Sequence, residues 1–208
     1  MIKRIIFDID GTLITGVNFT QYVEKALFKY GINDPNKLKL FLLNIREYEQ
    51  KYRSYNRDLY LEFFSDRLSC QLNYNFLQLF FEELKKAIPS NSEKIFQMLS
   101  NLKDYELVLL SNYFEESQRN RLCAMGINDF FIEYYGEKII KPNEEVYINA
   151  AGPYKPRECI IVGDDKLLDI DIPYNLGFNT IYVNEKGDIK NVEDITLKLI
   201  KLKESRNI

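Results

Sequence analysis

The spacing of apolar residues changes twice along the chain. The first run, KRIIFDI, is short and continuously apolar, with no alternation to give it a wet face. It predicts a fully buried strand of a parallel sheet. Beyond it the spacing becomes helical: Phe19, Tyr22, Val23, Ala26, Leu27 and Tyr30 recur every three or four residues, and Gly31 closes the helix. Asp34 reads as the cap and Pro35 as the first residue of a second helix carrying Leu38, Phe41, Leu42 and Ile45. A third helix uses Tyr60, Phe63, Phe64 and Leu68, and a fourth Tyr74, Leu77, Phe81, Leu84 and Ile88. Residues 16–88 therefore predict a small four-helix bundle.

After Pro89 helices and strands alternate. Ser90 and Glu93 have capping-box spacing ahead of a helix with Ile95, Met98, Leu99 and Leu102. The strand YELVLLS follows, then a helix over 114–125, a short strand near FFIEY, a helix over 143–151 and the strand ECIIVGD. A helix over 166–174, the strand TIYVN and a last helix with Val192, Ile195, Leu199 and Leu202 complete the pattern. The prediction is an α/β Rossmann-like core, a parallel sheet with helices on both faces, built from residues 1–15 and 89–208. The all-helical segment 16–88 is inserted after the first strand.

Composition narrows the function more by exclusion than by content. At 208 residues, 46% hydrophobic and 28% charged, the chain has the make-up of a soluble globular protein. Its net charge of −3, with Lys and Arg spread along it, offers no basic patch for nucleic acid or an anionic membrane. No apolar run approaches the roughly 20 residues needed to cross a bilayer, and the start reaches acids too soon for a signal peptide. The expected location is cytoplasmic. Cys70, Cys123 and Cys159 are far apart and odd in number, which suggests neither a disulfide framework nor a zinc site. There is no histidine, so Ser-His-Asp, Cys-His and His-zinc schemes are excluded within this chain. No cysteine has an arginine six residues later, which removes the cysteine phosphatase loop. Carboxylates, lysines and hydroxyls remain.

Ligands of an open parallel sheet bind beyond the carboxyl ends of its strands. There the first strand delivers Asp8 and Asp10, the second Ser111 and Asn112, and the fourth Gly163, Asp164 and Asp165. Lys141 precedes the helix that begins near Pro142. Taken singly, each has an ordinary reading: Asp8 and Asp10 as a solvated turn, Ser111 and Asn112 as strand-end turn residues, Lys141 as a surface lysine.

Together the four groups resemble the haloacid dehalogenase-like superfamily. DIDGTL is similar to its first motif, LLSN to its second, Lys141 before Pro142 to its third and VGDDKLLD to its fourth, in the family's order across residues 1–185. The helical insertion looks like the cap of the subgroup containing phosphoglycolate phosphatase-like and beta-phosphoglucomutase-like enzymes. The resemblance implies that Asp8 attacks phosphorus to form an aspartyl phosphate and that Asp10 serves as general acid and then base. It implies Mg2+ held by Asp8, the Asp10 carbonyl and Asp164, with Lys141 beside the phosphate. Ser111 and the backbone N–H groups around Gly11, Thr12 and Asn112 would hold phosphoryl oxygens, with Gly11 permitting close approach. Asp169 would support the metal or Lys141 from behind. The family's dehalogenases carry Tyr where this chain has Asp10, which points to phosphoryl transfer. Two positions depart from the pattern, Asp165 for Ser or Thr and Leu168 for Asn. Asp165 either joins the metal shell or caps a helix.

In the insertion, Arg46, Tyr48, Tyr52, Arg53, Tyr55 and Arg57 gather around the turn between its second and third helices. Arg46, Tyr52, Arg53 and Arg57 are candidates for gripping an anionic substrate group; the alternative is a solvated helix end whose tyrosines pack inward. The expected substrate is a small phosphorylated metabolite, taken by a monomer or homodimer. A phosphomutase and a non-enzymatic phosphoacceptor module are the other readings.

Overall fold

The computed structural model describes residues 1–204, with side chains to residue 200. Leu202, expected on the last helix's apolar face, and residues 205–208 of the expected core segment lie outside that description. Five parallel strands form one sheet in the order β3-β2-β1-β4-β5: β1 (Arg4–Phe7), β2 (Glu106–Leu110), β3 (Glu133–Tyr135), β4 (Cys159–Gly163) and β5 (Asn179–Tyr182). β1 lies at the centre, with Phe7 in register with Leu109 of β2 and Val162 of β4. Every residue of β1 and β4 is buried, as their unalternated composition predicts. Each Ile or Phe buried there stabilises the fold by about 1.5–3 kcal/mol.

Between β1 and β2 run four helices, α1 (Thr20–Lys29), α2 (Pro35–Tyr52), α3 (Arg57–Leu68) and α4 (Tyr74–Leu84), followed by α5 (Ser92–Ser100). α1 packs on α4 and α2 on α3 around an aromatic core with Phe41, Tyr48, Tyr60, Phe64, Phe76 and Phe80. Phe114 and Ile140, from loops beside the sheet, belong to the same cluster, so the bundle sits against the carboxyl ends of the strands. The remaining helices are α6 (Glu115–Ala124), α7 (Glu144–Ala151), α8 (Ile172–Asn175) and α9 (Ile195–Glu204). Residues of α7 and α8 cover one face of the sheet, and residues of α5, α6 and α9 the other.

Local chemistry explains most boundaries. Asp34 accepts a hydrogen bond from Asn36 N–H at the start of α2, with Pro35 at its first position. Three expectations need correction. The Ser90–Glu93 capping box does not form: α5 starts at Ser92 after Asn91, with no side-chain cap bond, and the Asn91 amide donates instead to Glu193. Tyr74 and Ile88 are exposed rather than part of the bundle core: Tyr74 opens α4 and its hydroxyl donates to Asp58, and Ile88 lies past the helix end at Leu84. The helix expected over 166–174 is a wide π-helical turn, Lys166–Asp171, running into the short α8. Asp169 lies in that turn, its carboxylate against Gly163 at the end of β4.

Candidate active site

Asp8 is the first residue beyond β1, and its N–H still donates to the Val162 carbonyl of β4 at 2.9 Å, so the strand pairing fixes its backbone. Ser111 and Asp164 are the first residues beyond β2 and β4. Lys141 reaches the same point from the loop before α7. Asn112 holds that loop on both sides, accepting from Lys141 N–H at 2.8 Å and donating its side-chain amide to the Lys141 carbonyl at 3.0 Å. The buried Lys141 ammonium then donates to Asp8 Oδ1 at 2.9 Å and to Asp169 Oδ1 at 2.7 Å.

Asp169 is held from behind. Asp165 N–H donates to its Oδ2, while the Asp165 carboxylate accepts from Leu167 and Leu168 N–H at 2.9 Å each. Asp165 therefore caps the turn, the second of its two sequence readings. Gly163 makes room: a Cβ there would lie 2.3 Å from the Asp169 carboxyl carbon. Thr12, fully buried, donates its hydroxyl to Asp164 Oδ1 at 3.3 Å.

Oxygen atoms of Asp8, Asp164 and Asp169 lie within 4.8 Å of one another. Lys141 supplies one positive charge against these three carboxylates. Burial, with the neighbouring Asp169 charge, pushes Asp8 up to about 8 against the pull of Lys141, and burial likewise pushes Asp164 up to about 6. The two carboxylates nearest the protein interior raise Lys141 despite its burial. An all-oxygen, over-acidic cluster of this kind suits a hard divalent cation, which would supply the missing charge.

Two sequence expectations change. Gly11 N–H is committed to the Ile14 carbonyl and Thr12 N–H to Ile9, so these two groups serve the turn rather than a phosphate. The close approach that needs Gly11 is to Asp164, whose Oδ2 would lie 2.1 Å from an added Cβ, at a φ of +84°.

Asp10 stands aside from the cluster with partners the sequence did not reveal. Arg121, on α6, donates Nη2 to Asp10 Oδ1 at 2.7 Å and Nη1 to Oδ2 at 3.1 Å. Gln118, one helical turn earlier, donates Nε2 to the same Oδ2 at 2.8 Å and to Ser111 Oγ at 3.3 Å. Two polar residues at i and i+3 on a highly charged helix read as a solvated face, yet both are buried.

The candidates on the inserted helices divide. Arg46 and Arg53 are exposed, Arg57 pairs with Glu116 of α6, and Tyr52 packs against Tyr48 and Phe63. The structure does not bring these four together into one grip. Glu49, which sequence reasoning passed over, is held by the buried Tyr55 hydroxyl at 2.8 Å. Burial pushes its carboxyl up, against the Tyr55 hydrogen bond and the Lys141 charge. The Tyr55 ring lies 5.1 Å from those of Tyr113 and Phe114, which follow Asn112 directly.

The model of the haloacid dehalogenase-like hydrolase family matches residues 2–171. No curated protein sequence matches the chain. Among solved structures, the HAD-hydrolase YfnB from Bacillus subtilis, bound to magnesium, superimposes with a TM-score of 0.71 at 17% identity over 95% of this chain and 98% of that one. A HAD phosphatase from Thermococcus onnurineus gives 0.60 at 22% identity, covering 95% and 98%. The L-2-haloacid dehalogenase from Xanthobacter autotrophicus gives 0.64 at 18% identity, covering 88% and 78%. At these identities the likeness establishes the shared fold. Among the described residues, no helix is long and apolar enough to cross a membrane.

Proposed function

Because this chain belongs to the haloacid dehalogenase-like hydrolase family, we propose that it is a magnesium-dependent phosphatase of small phosphomonoesters that works through an aspartyl phosphate on Asp8. The observation that carries this reading is the convergence of Asp8, Asp164 and Asp169 around Lys141 at the strand ends, with a second carboxylate, Asp10, set apart. Mg2+ would be held by Asp8, Asp164 and the Asp10 carbonyl; when bound it offsets the repulsion between a carboxylate and a dianionic phosphate. Asp169, with both oxygens already engaged, orients Lys141 beneath it.

Asp8 attacks phosphorus, its oxygen forming the new P–O bond as the ester P–O bond breaks. Asp10 gives the departing alkoxide its proton, then takes one from the water that attacks phosphorus and frees Asp8. Lys141 and the Ser111 hydroxyl hydrogen-bond the phosphoryl oxygens, where charge accumulates. Asp10 also separates this chemistry from that of the family's dehalogenases, which carry Tyr there. Residues 16–88 act as a cap whose docking through Tyr55, Tyr113 and Phe114 shields the reaction from bulk water. Glu49 on that cap supports hydroxylated substrates over ones with a second anionic group. The test is phosphate release from sugar phosphates, phosphoglycolate, nucleotides and an aryl phosphate, with a chelator control. Release abolished by chelator bears the reading out; no release from any, with turnover only of a bisphosphate-primed sugar phosphate, would replace it with a mutase.

A further inference from the structure

We propose that Arg121 and Gln118 are positioning residues for Asp10, fixing the plane and direction of its carboxylate for proton transfer; this rests on the acid–base role given to Asp10 above. Three observations carry it. The guanidinium grips both oxygens of Asp10, which sets the plane of the carboxylate as well as its place. Gln118 closes the network: its carbonyl accepts from Arg121 Nη1 at 2.5 Å while its amide bridges Asp10 and Ser111, tying the carboxylate to the hydroxyl that faces the phosphoryl group. The arrangement is also a poor device for stability. Arg121 is 2% exposed, its Nε has no hydrogen-bond partner, and the carboxylate it pairs with is 40% exposed. A buried cation with an unsatisfied N–H, spent on a half-wet partner, is costly to desolvate and gains little in return. What the arrangement supplies is geometry: a fixed plane and direction for the Asp10 carboxylate.

While its N–H edge grips Asp10, the guanidinium lies over the Phe19 ring, 4.6 Å from its centroid, in the segment that leads from Asp10 into α1. Asp10 is thereby steadied from the helix after β2 and from the entry to the inserted bundle, in addition to its own hydrogen-bonded turn.

The experiment separates proton transfer from the rest of the site by leaving group. A p-nitrophenolate departs without a proton, whereas an alkoxide requires one. Single-turnover release of p-nitrophenol from p-nitrophenyl phosphate and of glycerol from glycerol 2-phosphate is measured for the wild type, Asp10→Asn, Arg121→Lys and Gln118→Met, each with magnesium. Both positioning variants are expected to slow glycerol release at least about tenfold while p-nitrophenol release stays within about threefold, the pattern of Asp10→Asn in weaker form. KM is expected to hold, and Asp8→Asn to lose both reactions. Equal loss on both substrates, or no loss, in the positioning variants while Asp10→Asn keeps its selectivity would overturn the positioning inference alone. An Asp10→Asn protein without selectivity would overturn the acid role and the inference together. Gln118→Met leaves the ion pair in place and keeps the test decisive should Arg121→Lys fail to fold.

Discussion

Replacing Gly11 with Ala tests how tightly the turn after β1 is fitted to the acidic cluster. The new Cβ would meet Asp164 Oδ2 at 2.1 Å, its carboxyl carbon at 2.4 Å and Oδ1 at 2.5 Å, where ordinary contact begins at 3.4 Å. The carboxylate must therefore withdraw by more than 1 Å, the difference between 3.4 and 2.1 Å being 1.3 Å. The Thr12 hydroxyl bond to Asp164 is lost with it. The backbone, at a φ of +84°, adds strain of about 1–2 kcal/mol for a residue with a side chain. At roughly 2–4 °C per kcal/mol for a chain of this size, that strain lowers Tm by about 2–8 °C. The functional loss should be larger than the loss of stability, because displacing a site group by about 1 Å costs on the order of a hundredfold in rate. The assay is phosphate release as a function of magnesium concentration, with thermal unfolding alongside. A Gly11→Ala protein that keeps wild-type magnesium half-saturation and turnover would refute the placement of Asp164 against this turn.

Lys141→Met leaves Asp8 and Asp169 facing each other in the interior without their shared cation, so activity should vanish and metal-free stability fall by about 3–5 kcal/mol, read from urea unfolding; an unchanged midpoint would contradict the buried pairing. Metal-free protein should show a pH signature. Asp8 and Asp164 rise from 3.8 to about 8 and about 6 on folding, so the folded state holds protons the unfolded state has released. Their stabilising contribution is full below 3.8 and is lost as pH rises through 6 and 8. Magnesium displaces those protons, so the Tm increment it gives should grow across the same window; an increment independent of pH would argue against binding at these carboxylates. Arg57→Ala removes an ion pair whose side chains are 41% and 53% exposed, and should shift stability by no more than about 1 kcal/mol, with little change in KM for a singly phosphorylated substrate. A large rise in KM would return Arg57 to the substrate site.

Legibility in the sequence followed the range of the interactions. The strand RIIF, unalternated and short, declared itself buried on both faces, and residue groups at three strand ends, with Lys141 before a helix, marked the crevice because parallel strands bring their carboxyl ends to one edge. Asp34 and Pro35 announced α2 through contacts within two residues. What stayed hidden depended on partners far along the chain. Gln118 and Arg121 look like solvent-facing residues until α6 is laid against Asp10, 108 and 111 positions away. Glu49 gains its meaning from Tyr55 and the strand-end loop beneath it. Gly11 was legible as a backbone requirement, but what it makes room for, the Asp164 carboxylate, is visible only in three dimensions. The Ser90–Glu93 box had the spacing of a cap, and a competing contact from Asn91 to Glu193 accompanies a later start.

The central claim is that Asp8 carries the phosphoryl group. Rapid acid quench of the protein during turnover of its best substrate with magnesium, followed by peptide mass analysis, tests it most directly. A phosphoryl adduct on the peptide containing Asp8, forming and decaying at the rate of turnover and absent from Asp8→Asn, is the predicted result. Turnover that proceeds in Asp8→Asn, or an adduct on another residue, would contradict the account.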